Sequence, residues 1–514
     1  MAFVHLNGES MPKRTFIVIA WTAIIVLAAG LRLHDLGERP MHADEATGAK
    51  ILSDKWEKGV YKFHPTHFHG PVLSLTTTPL TKLREQDSWK DLDEQTLRLQ
   101  PAIIGMLLVL TPLLFTRWTG WEAALAGAIL LSTSPLLVYY SRMYIHEGSL
   151  CLGAVCTLAA FLRWIENPTY RYAIMTGICA GVMAATKETV IISLFAWLVS
   201  AVIAMKLAQP GTPVKLFWKS LTIGIICGLS VAIILYTDGF KNPGGALDAL
   251  RTYFIYETTP GHDKPFYYYA WLLLCPKLAG GVIWWEGMAA VPALIAITLV
   301  TGRHKDRANT TNRFIIVFLA LSALLHLVVY SLISYKTPWL MMVPWAHVIL
   351  LAPFAFLPEA RINKAKTIGL MLICLLGAVS GWIQSQAAIS RFSNDARNPY
   401  AYVPTTRDVT RLSSWLAKLS EQDEADFSIA VIGSGYWPLP WYLREFEAVG
   451  YWANIEEQHQ DDPILLVMPV LFDQADEAFK LSHTAVPRGL RDNHPMLVFV
   501  RNDVWDRWMK DRDE

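Results

Sequence analysis

Ionisable and aromatic residues collect in this chain at the ends of long apolar runs, and their types suit work on an anionic, membrane-embedded substrate. One cluster reads His42-Ala43-Asp44-Glu45-Ala46, followed by His64, His67 and His69-Gly70-Pro71. Ser141-Arg142 with His146 and Glu147 makes a second, and Thr186-Lys187-Glu188-Thr189 a third. Tyr253, Tyr256, Glu257, His262 and Asp263 form a fourth, and Ser334-Tyr335-Lys336-Thr337-Pro338-Trp339 a fifth. Charges beside hydrocarbon are costly, so they usually pair or serve function. Arg142, Lys187 and Lys336 are candidate phosphate-binding cations, and Asp44 and Glu45 candidate acids or bases. His42, His69, Glu147, Glu188, Tyr256 and Glu257 are candidate substrate contacts.

Each feature also has a structural explanation. The three cations could be interfacial anchors whose heads snorkel to water. Asp44 and Glu45 could cap a helix that begins near Ala46, since acids suit a first turn; Glu147 and Glu188 meet the same objection. The four histidines between 42 and 69 leave a divalent metal open, although their spacing matches no common ligand pattern.

The elements that must position these residues are membrane helices. Of 514 residues, 53% are hydrophobic and 17% charged, against about 25% charged in soluble domains. Eleven apolar runs of spanning length lie near 15–32, 97–116, 121–140, 147–164, 172–186, 189–206, 218–236, 282–301, 313–334, 339–357 and 367–386. The first is read as a span, not a cleaved signal peptide, because it is long and ten more follow. With the N-terminus cytoplasmic, the inside turns hold Arg117, Arg163, Arg171, Lys206, Lys215, Lys219, Arg303, Lys305, Arg307, Arg313, Arg361, Lys364 and Lys366. The short outside turns hold Arg142, Lys187 and Lys336 alone, which obeys the positive-inside rule. All five chemical clusters then fall on the outer face. Residues 1–386 form the membrane domain, with 33–96 as its first outside loop, and 387–514 an extracytoplasmic domain. In that tail, 406–420 has helical periodicity and 427–432, 464–468 and 496–500 read as strands, predicting a small α/β domain with a mainly parallel sheet. Gly433-Ser434-Gly435 reads as a strand-to-helix turn. The net charge of +1 gives no reason to propose a nucleic-acid partner. Six isolated cysteines form neither a disulfide framework nor a zinc pattern.

The placement of His42-Ala-Asp44-Glu45-Ala46, just after the first apolar run, resembles the GT-C glycosyltransferases that use polyprenyl-phosphate sugars, such as protein O-mannosyltransferases and aminoarabinose transferases. His69-Gly70-Pro71, Ser141-Arg142 with Glu147, and the many-span body support it. Tyr335-Lys336-Thr337-Pro338-Trp339 and Asn398-Pro-Tyr400-Ala-Tyr402-Val-Pro404-Thr405-Thr406 are similar to a branch called flippase-activity-associated proteins of N-glycosylation. The resemblance implies Asp44 as general base with Glu45 as reserve or orienting partner. The cations Lys187, Arg142 and Lys336 would then meet the donor phosphate. It also implies a polyprenyl-phosphate sugar donor and a glycan, lipid or protein acceptor at the surface of a plasma membrane. The sequence departs from the Asp-x-Asp signature of metal-dependent oligosaccharide transferases, which puts direct metal catalysis in doubt; no cofactor is assigned. A lipid-linked-sugar flippase, or an accessory subunit of one, is the main rival, and a scaffold a third. Transporters tend to carry charges near the midplane, whereas these apolar runs read as clean.

Overall fold

The computed structural model describes residues 5–6, 9–10, 13–67, 69–209, 214–255, 261–301, 309–357, 363–422 and 427–513. It has two compact units. One comprises Met1–Leu36, Asp54–Glu85 and Gln95–Arg391; the other comprises Gly37–Ser53, Gln86–Glu94 and Phe392–Glu514.

In the first unit each of the eleven apolar runs contains helix. Among the described residues, eight helices are long and apolar enough to cross a membrane: Arg14–Leu33, Glu94–Thr119, Glu147–Glu166, Val190–Ala208, Phe217–Tyr236, Thr310–Leu332, Pro338–Phe356 and Lys364–Ile389. The chain is an integral, multi-pass membrane protein. The other three runs give shorter helices, each for a local reason where one is visible. Trp121–Thr133 stops before Pro135, which lacks the N–H to continue it, and Pro135–Tyr140 starts afresh. The run at 282 begins as a strand, because β1 (Lys277–Ala279) and β2 (Val282–Trp284) form a hairpin. Its two-residue turn, Gly280-Gly281, has φ of 62° and 80°, the left-handed pair such a turn requires. The helix Gly287–Thr301 follows. Tyr170–Ala184 is the third short helix.

Close packing and buried polar groups hold the helices. A Cβ on Gly177 would lie 2.1 Å from the Gly224 carbonyl oxygen, and one on Gly181 2.4 Å from that of Gly228. Only glycine lets Tyr170–Ala184 and Val214–Tyr236 approach so closely, a small-xxx-small crossing. Arg32 is fully buried and donates to the carbonyls of Ser132 (2.9 Å) and Leu131 (3.0 Å). Glu286, inside a run that reads as apolar, accepts from Ser134 Oγ (2.7 Å), the Leu136 N–H (2.7 Å) and Trp345 Nε1 (2.5 Å). It thereby satisfies a donor that the start of Pro135–Tyr140 leaves without an intrahelical partner.

The second unit is a mixed five-stranded sheet with short helices. Its strands are β3 (Ile429–Ile432), β4 (Val449–Trp452), β5 (Ile464–Val467), β6 (His483–Arg491) and β7 (His494–Arg501). Their spatial order is β4-β3-β5-β7-β6. β3 is parallel to both β4 and β5, whereas β7 is antiparallel to β5 and β6. The expected mainly parallel sheet is thus only half parallel. The reason is local: Asp492-Asn493, with Asn493 at φ 55°, turns β6 straight back into β7. β3 and β5 are buried along their whole length, as strands covered on both faces must be. Ala430, Ile432, Leu465, Val467, Phe479 and Phe499 share one core. Gly433 (φ 101°) and Gly435 (φ 82°) make the turn from β3 toward the helix Leu439–Tyr442, as the sequence suggested.

Candidate functional site

In the membrane unit, three of the turns between the apolar runs meet. Residues 69–72 lie along 185–187: the Gly70 N–H donates to the Thr186 carbonyl (3.1 Å) and the Val72 N–H to that of Ala185 (3.3 Å). A Cβ on Gly70 would stand 2.0 Å from the Ala185 carbonyl oxygen, so no other residue permits this approach. Tyr61 Oη donates to the His69 carbonyl (2.7 Å) and steadies the segment. His69 Nδ1 then donates to Glu188 Oε2 (2.9 Å), and its ring sits edge-to-face on His146 at 5.1 Å. Beside them Lys187 Nζ meets Glu147 Oε1 at 2.5 Å, with 9% and 5% of the two side chains exposed.

The electrostatics follow from this packing. Burial works against the charge on Lys187, but Glu147 and Glu188 outweigh it and hold the ammonium charged above the ordinary lysine range. Burial likewise opposes the Glu188 carboxylate, yet His69 and Lys187 bring it down to about 2. Burial, reinforced by His69 and Lys187, keeps His146 neutral, well below the usual imidazole range. A buried, permanently charged ammonium flanked by carboxylates is the result.

The remaining cations are placed differently. Arg142 donates to the backbone carbonyls of Leu31 (3.3 Å) and Asp35 (3.0 Å), at the end of the first membrane helix. Lys336 is buried, and its ammonium donates to the Ile333 carbonyl. Its backbone N–H donates to the His262 carbonyl (3.0 Å), so the fourth and fifth chemical clusters pair there. Tyr335 acts electrostatically on Lys187 from that turn. Tyr256 and Glu257 lie outside the described residues. His64 and His67 stack on one another at 4.6 Å. Among the described residues, no group of three or more His, Cys, Asp or Glu is arranged to hold a metal ion.

In the second unit the acidic pair opens the helix Ala43–Lys58 and divides its labour. Glu45 is fully buried; its Oε2 accepts from the His42 backbone N–H (2.9 Å) and from Arg39 Nη2 (2.8 Å). His42 Nδ1 in turn accepts the Asp44 N–H (3.1 Å). Glu45 at the third helical position thus makes the return half of a capping box, while the His42 ring takes the N–H of the second position, not the third. With Nδ1 accepting, the proton belongs on Nε2, which reaches the Tyr402 carbonyl at 3.2 Å. Burial lowers the pKa of His42 and favours that neutral ring. The Asp44 side chain, by contrast, is 55% exposed. Its nearest titrating neighbours in this unit include Tyr402 and Arg491, both of which feel its charge.

The segment is held by the C-terminal part of the same unit. Thr405 Oγ1 donates to the Met41 carbonyl (2.7 Å), and the Met41 N–H donates to Tyr442 Oη (2.9 Å). The motif at 398–406 supplies both Tyr402 and Thr405; Asn398 Nδ2 pins its start by donating to the Phe392 carbonyl (3.1 Å). Sequence reasoning gave no site role to Arg39, Tyr402 or Arg491. Arg39 was findable, as a cation six residues before a capping acid. Arg491 carried no local signal.

This architecture is the GT-C membrane fold, as the resemblance read from the sequence implied. Residues 69–236, which supply His69, Glu147, Lys187 and Glu188, match the family of dolichyl-phosphate-mannose-protein mannosyltransferases. Among solved structures, the chain is similar to ArnT from Cupriavidus metallidurans in the apo state, with TM-score 0.65 and 15% identity over 95% of this chain and 98% of that one. The same protein bound to undecaprenyl phosphate gives TM-score 0.62 at 14% identity, with the same coverage. The archaeal oligosaccharyltransferase AglB from Archaeoglobus fulgidus, in complex with an inhibitory peptide and a dolichol-phosphate, gives TM-score 0.56 and 12% identity over 90% of this chain and 70% of that one. No curated protein matches the chain.

Proposed function

We propose that this protein transfers a sugar from a polyprenyl-phosphate donor to an acceptor on the extracytoplasmic face of the plasma membrane, with its N-terminus cytoplasmic. The acceptor hydroxyl oxygen attacks the anomeric carbon, and the bond from that carbon to the phosphate oxygen breaks with inversion. The bonding pair leaves with the polyprenyl phosphate, and the hydroxyl proton goes to Asp44. A positioned base contributes about 10²–10⁴-fold to such a step. Lys187 faces the charge that grows on the leaving phosphate, in surroundings where a low dielectric strengthens the attraction. Glu147 takes one of the three ammonium donors, and phosphate oxygens accept from the others. Arg142 and Lys336 are the further candidate cations, although both already donate to backbone carbonyls.

The observation that carries the reading is the split in the acidic pair: Glu45 is locked as cap and ion-pair partner while the adjacent Asp44 carboxylate reaches solvent. Two equivalent capping acids would both have been consumed by the helix start. The step uses the chain's own side chains, and the EDTA arm of the test decides whether a divalent ion takes part. The direct test is an Asp44→Asn variant assayed for transfer from a polyprenyl-phosphate sugar, with and without EDTA. Loss of transfer at unchanged donor binding is expected. Near-normal transfer by the variant removes Asp44 as base.

A further inference from the structure

The loop after β3 is built for binding, and nothing so far assigns it a role. From β3 the chain runs to β4 on one side, whereas from the adjacent β5 it runs on toward β6 on the other, so the strand order reverses beside the C-terminal end of β3. Open sheets bind ligands at the C-terminal ends of parallel strands where the order reverses in this way. At that end Gly433-Ser434-Gly435 leads into Tyr436 and Trp437, whose rings lie nearly parallel at 6.3 Å. Tyr451, on β4, packs on Tyr436 at 4.9 Å and is 40% exposed. Arg491 Nη2 donates to the Gly435 carbonyl (2.7 Å). A Cβ on Gly435 would lie 3.2 Å from His494 Nε2 and 3.4 Å from Arg491 Nη2, so both polar heads stand directly over the loop.

The same loop is tied to the acidic segment by short steps within the unit. Arg491 pairs through its backbone with Thr405, and Thr405 Oγ1 donates to the Met41 carbonyl, one residue before His42. Flat rings, a guanidinium fork, an imidazole and a nearby carboxylate suit one ligand chemistry above others. A pyranose offers C–H faces to stack on rings and vicinal hydroxyls to bond with forked charged groups. Resting on the glycosyltransferase reading, we propose that Tyr436, Tyr451 and Arg491 form a carbohydrate subsite of the C-terminal unit that carries the acceptor, making the acceptor a glycan.

The test uses the full-length protein in lipid nanodiscs, with trisaccharides of glucose, mannose and N-acetylglucosamine as probes, read by tryptophan fluorescence. Transfer kinetics are measured alongside with a polyprenyl-phosphate sugar donor. At least one trisaccharide should bind. Tyr436→Ala and Tyr451→Ala should each weaken it by about tenfold and raise the acceptor KM while leaving the donor KM unchanged. Tyr451→Phe, which keeps the ring, should bind as the wild type does and guards against misfolding. No trisaccharide binding, binding indifferent to both alanine variants, or competition by an acceptor peptide but no saccharide would each overturn the subsite. If transfer persists and ignores Tyr436 and Tyr451, the subsite falls and the transferase reading stands. If trisaccharides bind as described but no sugar is ever transferred, the cleft stands and the transferase reading falls.

Discussion

Replacing Lys187 by Met should damage the protein twice, and the two effects are separable. The ammonium meets Glu147 Oε1 at 2.5 Å with both side chains nearly inaccessible. At that distance the gross attraction is about 7 kcal/mol for an effective dielectric near 20. Much of this only offsets the desolvation of the two charges. Deleting one partner, however, strands the other, at a cost of about 3–5 kcal/mol. Lys187→Met alone should therefore lose that much stability in detergent unfolding. The double variant with Glu147→Gln replaces the pair by neutral groups of similar volume and should recover most of it. Recovery falls short of complete because Glu188 also draws on Lys187, though it keeps His69. Donor KM should stay raised in both variants, since neither has a cation for the phosphate. Equal stability of single and double variants would refute the pairing argument. Normal donor KM in the double variant would refute the phosphate role.

Four further outcomes follow from the same geometry. Glu188 is held at about 2 against an ordinary value of 4.5, so its contribution is present above that ordinary value and is lost as pH falls toward 2. The loss is about 3 kcal/mol, and Glu188→Gln should flatten acid unfolding across that window. His146 is held neutral, so its contribution is intact above about pH 6.5 and declines as the pH falls below it. His146→Gln should remove that slope. Gly70→Ala drives a methyl into the Ala185 carbonyl; a loss of about 3 kcal/mol or more, read as lower yield and earlier thermal unfolding, is expected. Glu45→Ala removes the acceptor of both Arg39 and the His42 N–H. It should cost at least about 2 kcal/mol, whereas Asp44→Asn should leave unfolding unchanged.

The membrane body was legible because hydrocarbon demands a periodic signal: long apolar runs, separated by short polar turns. What the sequence concealed were exceptions made locally. Gly280-Gly281 turned the start of one run into a hairpin, and Glu286 hid inside a run that looked clean because its three donors come from distant residues. His69, Glu147, Lys187 and Glu188 come from turns that the alternation of cations assigns to one face, and the structure brings these four together. The acidic pair shows the limit of such reasoning. Capping and catalysis were weighed as rivals, yet the structure gives Glu45 the first duty and leaves Asp44 exposed. Partners such as Tyr402 and Arg491 lie hundreds of residues away, and no spacing rule could pair them with Asp44.

The measurement that bears most directly on this account follows a doubly labelled polyprenyl-phosphate sugar, with different isotopes in the sugar and the lipid, in vesicles containing the purified protein and an envelope extract. The account predicts that each sugar gained by acceptor is matched by one polyprenyl phosphate released, and that both vanish with Asp44→Asn. Movement of the intact donor across the bilayer, with both labels still joined and no dependence on Asp44, would contradict it.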